Sequence, residues 1–469
     1  MKGLTFFLLL VFYSALHSQP ITLHDTTNQY DYIIITVPEF VTACEPFKQH
    51  KETVRDFRTL IVDTTQIFAE FDSSLTRQDN IRDFISFAGT FWKELRPKYF
   101  LIVGTVQMVP NFLIPFPSQP TVYWHSDYYY CQNIYENDST KTDFYIGRIP
   151  CKTESELSNY FLKVMQYEID DSLHPWTNNA LFLCAGESSH YLDFAFEVAL
   201  ALPSYVRSFY IAESDTSPYY GTLDTIYQAI NQRGNSVVWL LGLSDDPYIG
   251  GSDWIKVEDL NGLTNEDKYF LTFSIGRQSA ILDTNTNLTQ AMLTLPNAGS
   301  IGGGVFVGYT YASINQTFQI NWASRIYNPV YTSIGEVFIS DNLPFDGLYN
   351  YVRKVANLWA DPSLKLKYDT AVGVEEVAEK LPKSFTLYQN YPNPFNPTTT
   401  IKFALPVSSN VKLNVYNALG QLVETLVDKE MKSGYHEVNF DAARLASGVY
   451  LYQLQAGDYV SIKKMLLLK

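Results

Sequence analysis

Nucleophilic chemistry on a carbonyl needs a thiolate or hydroxyl with a base beside it, so cysteines and histidines come first. The chain has four cysteines, Cys44, Cys131, Cys151 and Cys184, and seven histidines. Of these, His125 and Cys131 are the pair of interest, near each other in a segment rich in proline and aromatic residues. They could form a thiolate–imidazole pair. The plainer account is a loop histidine and a buried or bridged cysteine, because a working pair also needs donors placed to receive an oxyanion. No CxxC pair and no His/Cys cluster suggests zinc. Four cysteines in 469 residues make no disulfide framework, although Cys131 and Cys151 could bridge a loop.

The elements able to present a site converge on Asn235–Ser279. Ser236–Leu243 and Tyr269–Ile275 are short, nearly continuous apolar runs, the pattern of central strands in a parallel sheet covered on both faces. Each stops at glycine and polar residues, Gly242-Leu243-Ser244-Asp245 and Gly276-Arg277-Gln278-Ser279. Open α/β sheets place ligands at the carboxyl ends of neighbouring strands. Two loops are therefore expected to meet over one crevice, with Ser244 and Gly276 in its lining.

The rest of the chain supplies the frame. Strands over Tyr30–Val37, Arg58–Val62 and Lys98–Val103 alternate with helices over Ala43–Arg55 and Asp79–Leu95, as right-handed βαβ units do. A long loop follows over Val109–Tyr135, and Thr153–Glu156 reads as a capping box opening a helix. The pattern restarts with strands at Asn179–Ala185 and Arg207–Ala212. A helix over Leu223–Arg233 stops at Gly234, and a glycine-rich strand spans Ser300–Gly308.

Taken in order, SDYYY (Ser126–Tyr130), DFYIGRIP (Asp143–Pro150), the two focal strands and NLWADPSLKLK (Asn357–Lys367) resemble the gingipain family of secreted cysteine peptidases. The resemblance runs from about Tyr30 to Tyr368. It implies a caspase-like, gingipain-like two-subdomain parallel-sheet α/β domain. In that family the first focal strand ends in the catalytic histidine and the second in the nucleophilic cysteine. Aligned on the shared glycine and serine, those positions hold Leu243 and Arg277 here. Leucine has no lone pair and arginine is a permanent cation, so neither can do the work of the dyad.

The resemblance also implies that Asp127 lies near a specificity pocket, where it could attract a basic side chain. The alternative is a turn aspartate tied to a backbone amide. Arg277 could pair with Asp127, Asp245 or Asp246 and plug the cleft. Asp245, Asp246, Glu136 and Asp138 are weak calcium candidates on the same resemblance, and solvated acidic turns are the plainer account because calcium-loop spacing is lacking. No cofactor is otherwise required. The tyrosines of Tyr123–Tyr135 can form a recognition surface or pack a core.

Composition sets the limits. With 46% hydrophobic residues the chain can build a large core, and its net charge of −15 argues against nucleic-acid binding. Residues 1–18 read as a secretory signal, too short to span a bilayer, which takes about 20 apolar residues. No other run reads as transmembrane. The expected organisation is an α/β domain over 28–370, with subdomains at about 28–170 and 175–370, then a linker at 371–383. A small antiparallel β-sandwich over 384–469 completes it. Within it YPNPFNPTTTI (Tyr391–Ile401), VYNALGQLV (Val415–Val423), LASGVYLYQL (Leu445–Leu454) and the closing KKMLLLK resemble the type A C-terminal sorting domain of type IX secretion. That implies the type IX machinery as partner and passage through periplasm and outer membrane to the cell surface. Three functions remain: a pseudopeptidase that binds peptide or a protein partner, an active cysteine endopeptidase with a relocated dyad, and a structural surface module.

Overall fold

The computed structural model describes residues 21–469 other than 73–75, 137–141, 187–189, 243, 246–247, 250–253, 276–286, 340–342, 345–346, 371–383, 391–392, 433, 458 and 469. The β-branched run Tyr32–Thr36 forms β1, buried along its whole length as a central parallel strand must be. After it come α1 (Val41–Val54), β2 (Thr59–Asp63), α2 (Thr64–Glu70), α3 (Arg77–Phe91), β3 (Tyr99–Val103), β4 (Phe112–Phe116), β5 (Gln119–Ser126), β6 (Tyr145–Ile149) and α4 (Glu154–Ile169). Four of these strands make a parallel sheet in the order β2-β1-β3-β6. Thr153 caps α4 by accepting the N–H of Glu156, while the Glu156 carboxylate reaches back to the N–H of Lys152.

The second subdomain contains β7 (Asn179–Cys184), α5 (His190–Leu200), β8 (Arg207–Ala212) and α6 (Leu223–Tyr227), which passes into a wider turn over Gln228–Arg233. Gly234, at φ +74°, ends it. Then come β9 (Val237–Leu241), the short strands β10 (Ser244–Asp245), β11 (Tyr248–Ile249) and β12 (Ile255–Lys256), β13 (Phe270–Ile275), α7 (Leu288–Thr294), β14 (Ser300–Phe306), α8 (Ala312–Ile326), α9 (Ile334–Phe338), α10 (Gly347–Val355) and β15 (Ala356–Leu358). The main sheet runs β15-β14-β13-β9-β7-β8, parallel except for β15. Gly303 explains the glycine run in β14: a Cβ there would lie 1.6 Å from the Thr272 carbonyl oxygen of β13.

The C-terminal unit is a sandwich of β16 (Thr386–Leu387), β17 (Thr398–Leu405), β18 (Ser409–Asn417), β19 (Leu422–Met431), β20 (Gly434–Asp441), β21 (Gly448–Ala456) and β22 (Tyr459–Leu467). Its sheets, β16-β17-β20 and β19-β18-β21-β22, enclose Ile401, Phe403, Leu413, Val415, Tyr452 and Leu454.

Three expectations change. The segment expected as a loop over Val109–Tyr135 contains the hairpin β4–β5. Helix α3 stops at Phe91 and not Leu95: Trp92 turns extended to bury its ring and donate Nε1–H to the Leu23 carbonyl. Leu95 is left 61% exposed at φ +73°. None of the four cysteines is in a disulfide, so the possible bridge between Cys131 and Cys151 does not form.

A buried ion cluster joins the subdomains. Lys51 Nζ on α1 lies 2.8 Å from Glu168 and 2.5 Å from Asp361, which follows β15. Tyr32 donates its hydroxyl to Asp361 at 2.7 Å, and His50 and Arg55 close on Glu168 at 2.8 and 2.5 Å. Burial alone would raise Glu168, but the positive charge and hydrogen bonds of Lys51, His50 and Arg55 hold it down at about 2. Lys51→Ala leaves two buried carboxylates facing one another, and should lower urea stability by about 3–5 kcal/mol. Because the folded carboxyl of Glu168 sits below its ordinary 4.5, its stabilisation holds above that pH and fades as pH falls towards 2. Glu168→Gln should flatten the acid limb of a stability–pH curve.

Glu197 of α5 titrates the other way. Its side chain accepts Nε2–H from Gln316, takes the N–H of Gln389, and faces Lys463 and Lys402 of the sandwich and Asp193 one turn back. Burial outweighs these cations and pushes it up to about 7 from an ordinary 4.5. Its contribution is complete at acid pH and is lost as pH rises from 4.5 to 7. Glu197→Gln should remove that decline, so that above pH 7 the variant melts at a higher temperature than the parent.

Candidate functional site

Strands β9 and β13 lie side by side and parallel, with Leu241 paired to Ile275 at their carboxyl ends. Leu243 and Arg277 thus each stand two residues beyond one paired position. Leu243, Gly276, Arg277 and Asp246 fall outside the described residues, as does Asp138. Ser244 and Asp245 form β10, which carries the chain from the end of β9 into a small antiparallel sheet with β11 and β12. No sequence pattern announced that sheet, whose strands have only two residues each.

Both strands are held from below. Trp239 on β9 donates Nε1–H to Gln319 of α8 at 3.0 Å, and Gln319 donates to the Ser274 carbonyl of β13 at 3.2 Å. Phe182, Trp239, Phe273 and Trp322 stack in series with centroids 4.9, 5.6 and 5.4 Å apart. A fully buried glutamine and four packed rings leave the floor little freedom.

The wall comes from the first subdomain. Hairpin β4–β5 packs Trp124 edge-on against Tyr309 at 5.3 Å and Phe116 against Tyr351 at 5.7 Å. The hydroxyls of Ser118 and Tyr311 share a hydrogen bond. Tyr309 and Tyr311 directly follow β14, so the hairpin closes over the carboxyl edge of the second sheet. Gly308 permits that approach, since a Cβ there would meet Trp124 Cγ at 2.5 Å. Leu113 and Tyr123 remain more than half exposed, whereas Tyr128 and Tyr130 are buried. The tyrosine-rich segment thus both packs a core and lines a surface.

Asp127 is tied inside the chain. Arg148 of β6 grips it in a bidentate pair, Nε to Oδ2 and Nη2 to Oδ1, both at 2.7 Å. Asn111 Nδ2 donates to Oδ1 at 3.1 Å, and the Asp127 N–H donates to Asn357 of β15 at 2.9 Å. The remaining Arg148 nitrogen donates to the carbonyls of Gly104 and Val109. Sequence reasoning quoted Arg148 within DFYIGRIP and gave it no role. A lone arginine in a buried strand was the available signal, because such a charge demands a partner.

The remaining nucleophile candidates are poor. Since Asn111 gives its amide N–H to Asp127, its oxygen faces His125 and accepts Nδ1–H at 2.8 Å. Asn111, not a thiol, orients that imidazole on Nδ1. Burial pushes the Cys44 thiol up to about 12 and those of Cys151 and Cys184 higher still, so all three stay protonated. Cys184 ends β7 opposite Leu241 and is the described thiol nearest the crevice in the sheet. Ser172, His174 and Asp170 form an exposed cluster that sequence reasoning did not single out. One nitrogen, His174 Nε2, meets both Ser172 at 2.8 Å and Asp170 at 3.0 Å, so it cannot relay between them as a triad histidine does. Among the described residues no group of three His, Cys, Asp or Glu side chains could hold a metal. Glu136 is exposed, and Asp245 is described in its backbone alone.

Comparison with known proteins agrees with this geometry. The description "Secretion system C-terminal sorting domain" matches residues 389–468. A domain of this kind marks the chain for export to the cell surface or beyond, and no described helix is long and apolar enough to cross a membrane. No curated protein matches the chain. Among solved structures, the complex of the Porphyromonas gingivalis RgpB pro- and mature domains is similar at 16% identity and a TM-score of 0.59, covering 93% of this chain and all of that one. The Arg-specific cysteine proteinase gingipain R (RgpB) gives the same identity and score over 96% of this chain and all of its own. A further structure, titled only a protease, aligns at 14% identity and a TM-score of 0.58 over 95% and 98%. At such identities the likeness speaks to the fold alone. The description "Peptidase family C25" matches residues 25–367, nearly three-quarters of the sequence, and the chain belongs to that family, the gingipain family of peptidases.

Proposed function

We propose that this is a secreted pseudopeptidase, a gingipain-type scaffold that binds peptide or a surface partner without cleaving it. One observation carries the reading: β9 and β13 end in register, and the residues two places beyond are leucine and arginine. Neither can supply a thiolate or accept its proton. The high thiol pKa values of Cys44, Cys151 and Cys184 support the same view. Residues 1–18 would direct inner-membrane passage as a signal peptide, and the sorting domain would hand the chain to the type IX machinery. The reading calls for no cofactor. Asp245, Asp246, Glu136 and Asp138 stay as calcium candidates, checked by comparing melting in calcium and in chelator.

In this reading Asp127 has a structural task and ligand contact falls to the hairpin wall. A mixed-sequence fluorogenic peptide library should be left uncut by the purified chain, with Cys131→Ala indistinguishable from the parent. Turnover that a thiol-directed reagent abolishes would overturn the proposal in favour of a relocated dyad. Conversely, Leu243→His combined with Arg277→Cys should bring slow, reagent-sensitive cleavage.

Asp127→Asn strands the buried guanidinium of Arg148 and should cost about 3–5 kcal/mol in urea unfolding. If instead the variant kept parental stability and lost affinity for arginine-bearing peptides, Asp127 would be a ligand group after all.

A further inference from the structure

The sandwich meets the α/β domain through charged and polar groups. Among the described residues the buried apolar side chains of the two units form separate clusters, so a shared core does not hold them together. Glu197 of α5 reaches across the junction. Its carboxylate accepts Nε2–H from Gln316 of α8 and the N–H of Gln389, which stands between β16 and β17. Lys402 of β17 and Lys463 of β22 face it, one from each sheet of the sandwich. Tyr452 of β21 feels the same carboxylate, with its hydroxyl donating to the Tyr388 carbonyl and accepting the N–H of Asn390. One side chain of α5 thus engages α8 and both sheets at once.

The charges at this junction do not balance. Asp193, one turn back on the same face of α5, also faces Lys463, and His190 in the first turn faces Asp193. Lys402 is shared with Glu437 of β20, 3.3 Å away. Three carboxylates therefore meet two lysines when all are ionised, and one bound proton evens the set. Asp193 and Glu437 are exposed, where solvent screens them, so the excess weighs most on half-buried Glu197. Burial is the main cause of its rise to about 7, and the two lysines oppose that rise without cancelling it.

We infer that the sandwich docks on α5 through a proton-controlled latch, seated while Glu197 holds a proton and released from α5 when that proton leaves. Once the sandwich has moved away, Glu197 faces water on that side and returns towards its ordinary 4.5. Because the docked group titrates higher than the undocked one, docking is at full strength below 4.5 and weakens as pH rises through 7. Between about pH 5.5 and about pH 8.5 the docking equilibrium should weaken about thirtyfold. Each unit keeps its own core, so the change is one of arrangement and not of folding. The face of α5 and the lysines of both sheets open to solvent together.

Small-angle scattering and hydrogen exchange on the full chain test the latch. The radius of gyration should be larger at about pH 8.5 than at about pH 5.5. Exchange along α5, corrected for its intrinsic pH dependence, should be several-fold faster at the higher pH. Glu197→Gln fixes the neutral form and should stay compact at both. Lys463→Gln removes a cation that favours the ionised form, and should move the opening to lower pH. Asp428 pairs with Lys412 between β18 and β19, so Asp428→Asn should open as the parent does. Equal dimensions and equal corrected exchange at both pH values, opening at the acid end, or a Glu197→Gln chain that opens like the parent would overturn the inference. Should Glu197→Gln fold poorly, the Lys463→Gln shift decides, and an opening pH that it leaves unmoved counts against the latch.

Discussion

The fold depends on one buried lysine. Lys51 sits between Glu168 at the end of α4 and Asp361 just past β15, where the chain returns from the second subdomain to the first. Buried ion pairs add little net stability, since desolvation offsets most of the attraction, but they fix geometry because a broken one is so costly. Here the geometry fixed is the seam between two sheets. Asp361 also takes the hydroxyl of Tyr32 from β1 and the N–H of Ser363, and gives its own N–H to Tyr160. With that crossing set, β15 runs beside β6, and Asn357 can receive the N–H of Asp127. The Asp127–Arg148 pair then extends the same polar seam to the carboxyl end of β3. The floor beneath β9 and β13 belongs to one subdomain and the β4–β5 hairpin to the other, so the contacts of Trp124 and Phe116 with Tyr309 and Tyr351 depend on this seam.

Much of the frame was legible in the sequence because it follows from local rules. Buried parallel strands are continuous apolar runs, and β1, β7, β9 and β13 were plain on that basis alone. Gly234 stops its helix at the φ that glycine favours, and Thr153 caps α4 as a threonine before Glu-Ser-Glu should. The hairpin β4–β5 escaped for an equally physical reason. Its strands contain Pro115 and Pro120, residues that local rules assign to loops, and its stability comes from rings on α10 and after β14 that lie some 200 residues away. Leu95 was misjudged because helical spacing continues past Phe91, whereas burial of the Trp92 indole ends the helix there.

The candidate site was half legible. The types of residue beyond β9 and β13 could be read directly, and the two strands pair as far as Leu241 and Ile275. Partnership could not be read. Nothing local tells that Arg148 reaches back 21 positions to Asp127, or that Asn111 turns the His125 ring. Long-range pairing of charges is decided by the tertiary fold, and the Asp127 motif carries the same letters whether its carboxylate meets a ligand or an internal guanidinium.

A scaffold can outlive its chemistry because the two rest on different atoms. Pairing of β9 with β13 uses backbone amides and carbonyls, and the floor beneath them uses Trp239, Gln319 and Phe273, none of which takes part in attacking a carbonyl. In the proposed reading, a chain with leucine at position 243 and arginine at position 277 would lose the differential stabilisation of a transition state and keep its ground-state binding surfaces. A protein that must fold and be exported to the cell surface or beyond has use for that remainder. The exposed Tyr123 and Leu113 of the hairpin stand on a wall that the buried Trp124 and Phe116 contacts hold in place. Rigid aromatic side chains lose little entropy on contact, which favours such a wall for recognition. The physics that holds this wall and floor in place is thus the physics of packing, and it is indifferent to the chemistry of the residues beyond β9 and β13.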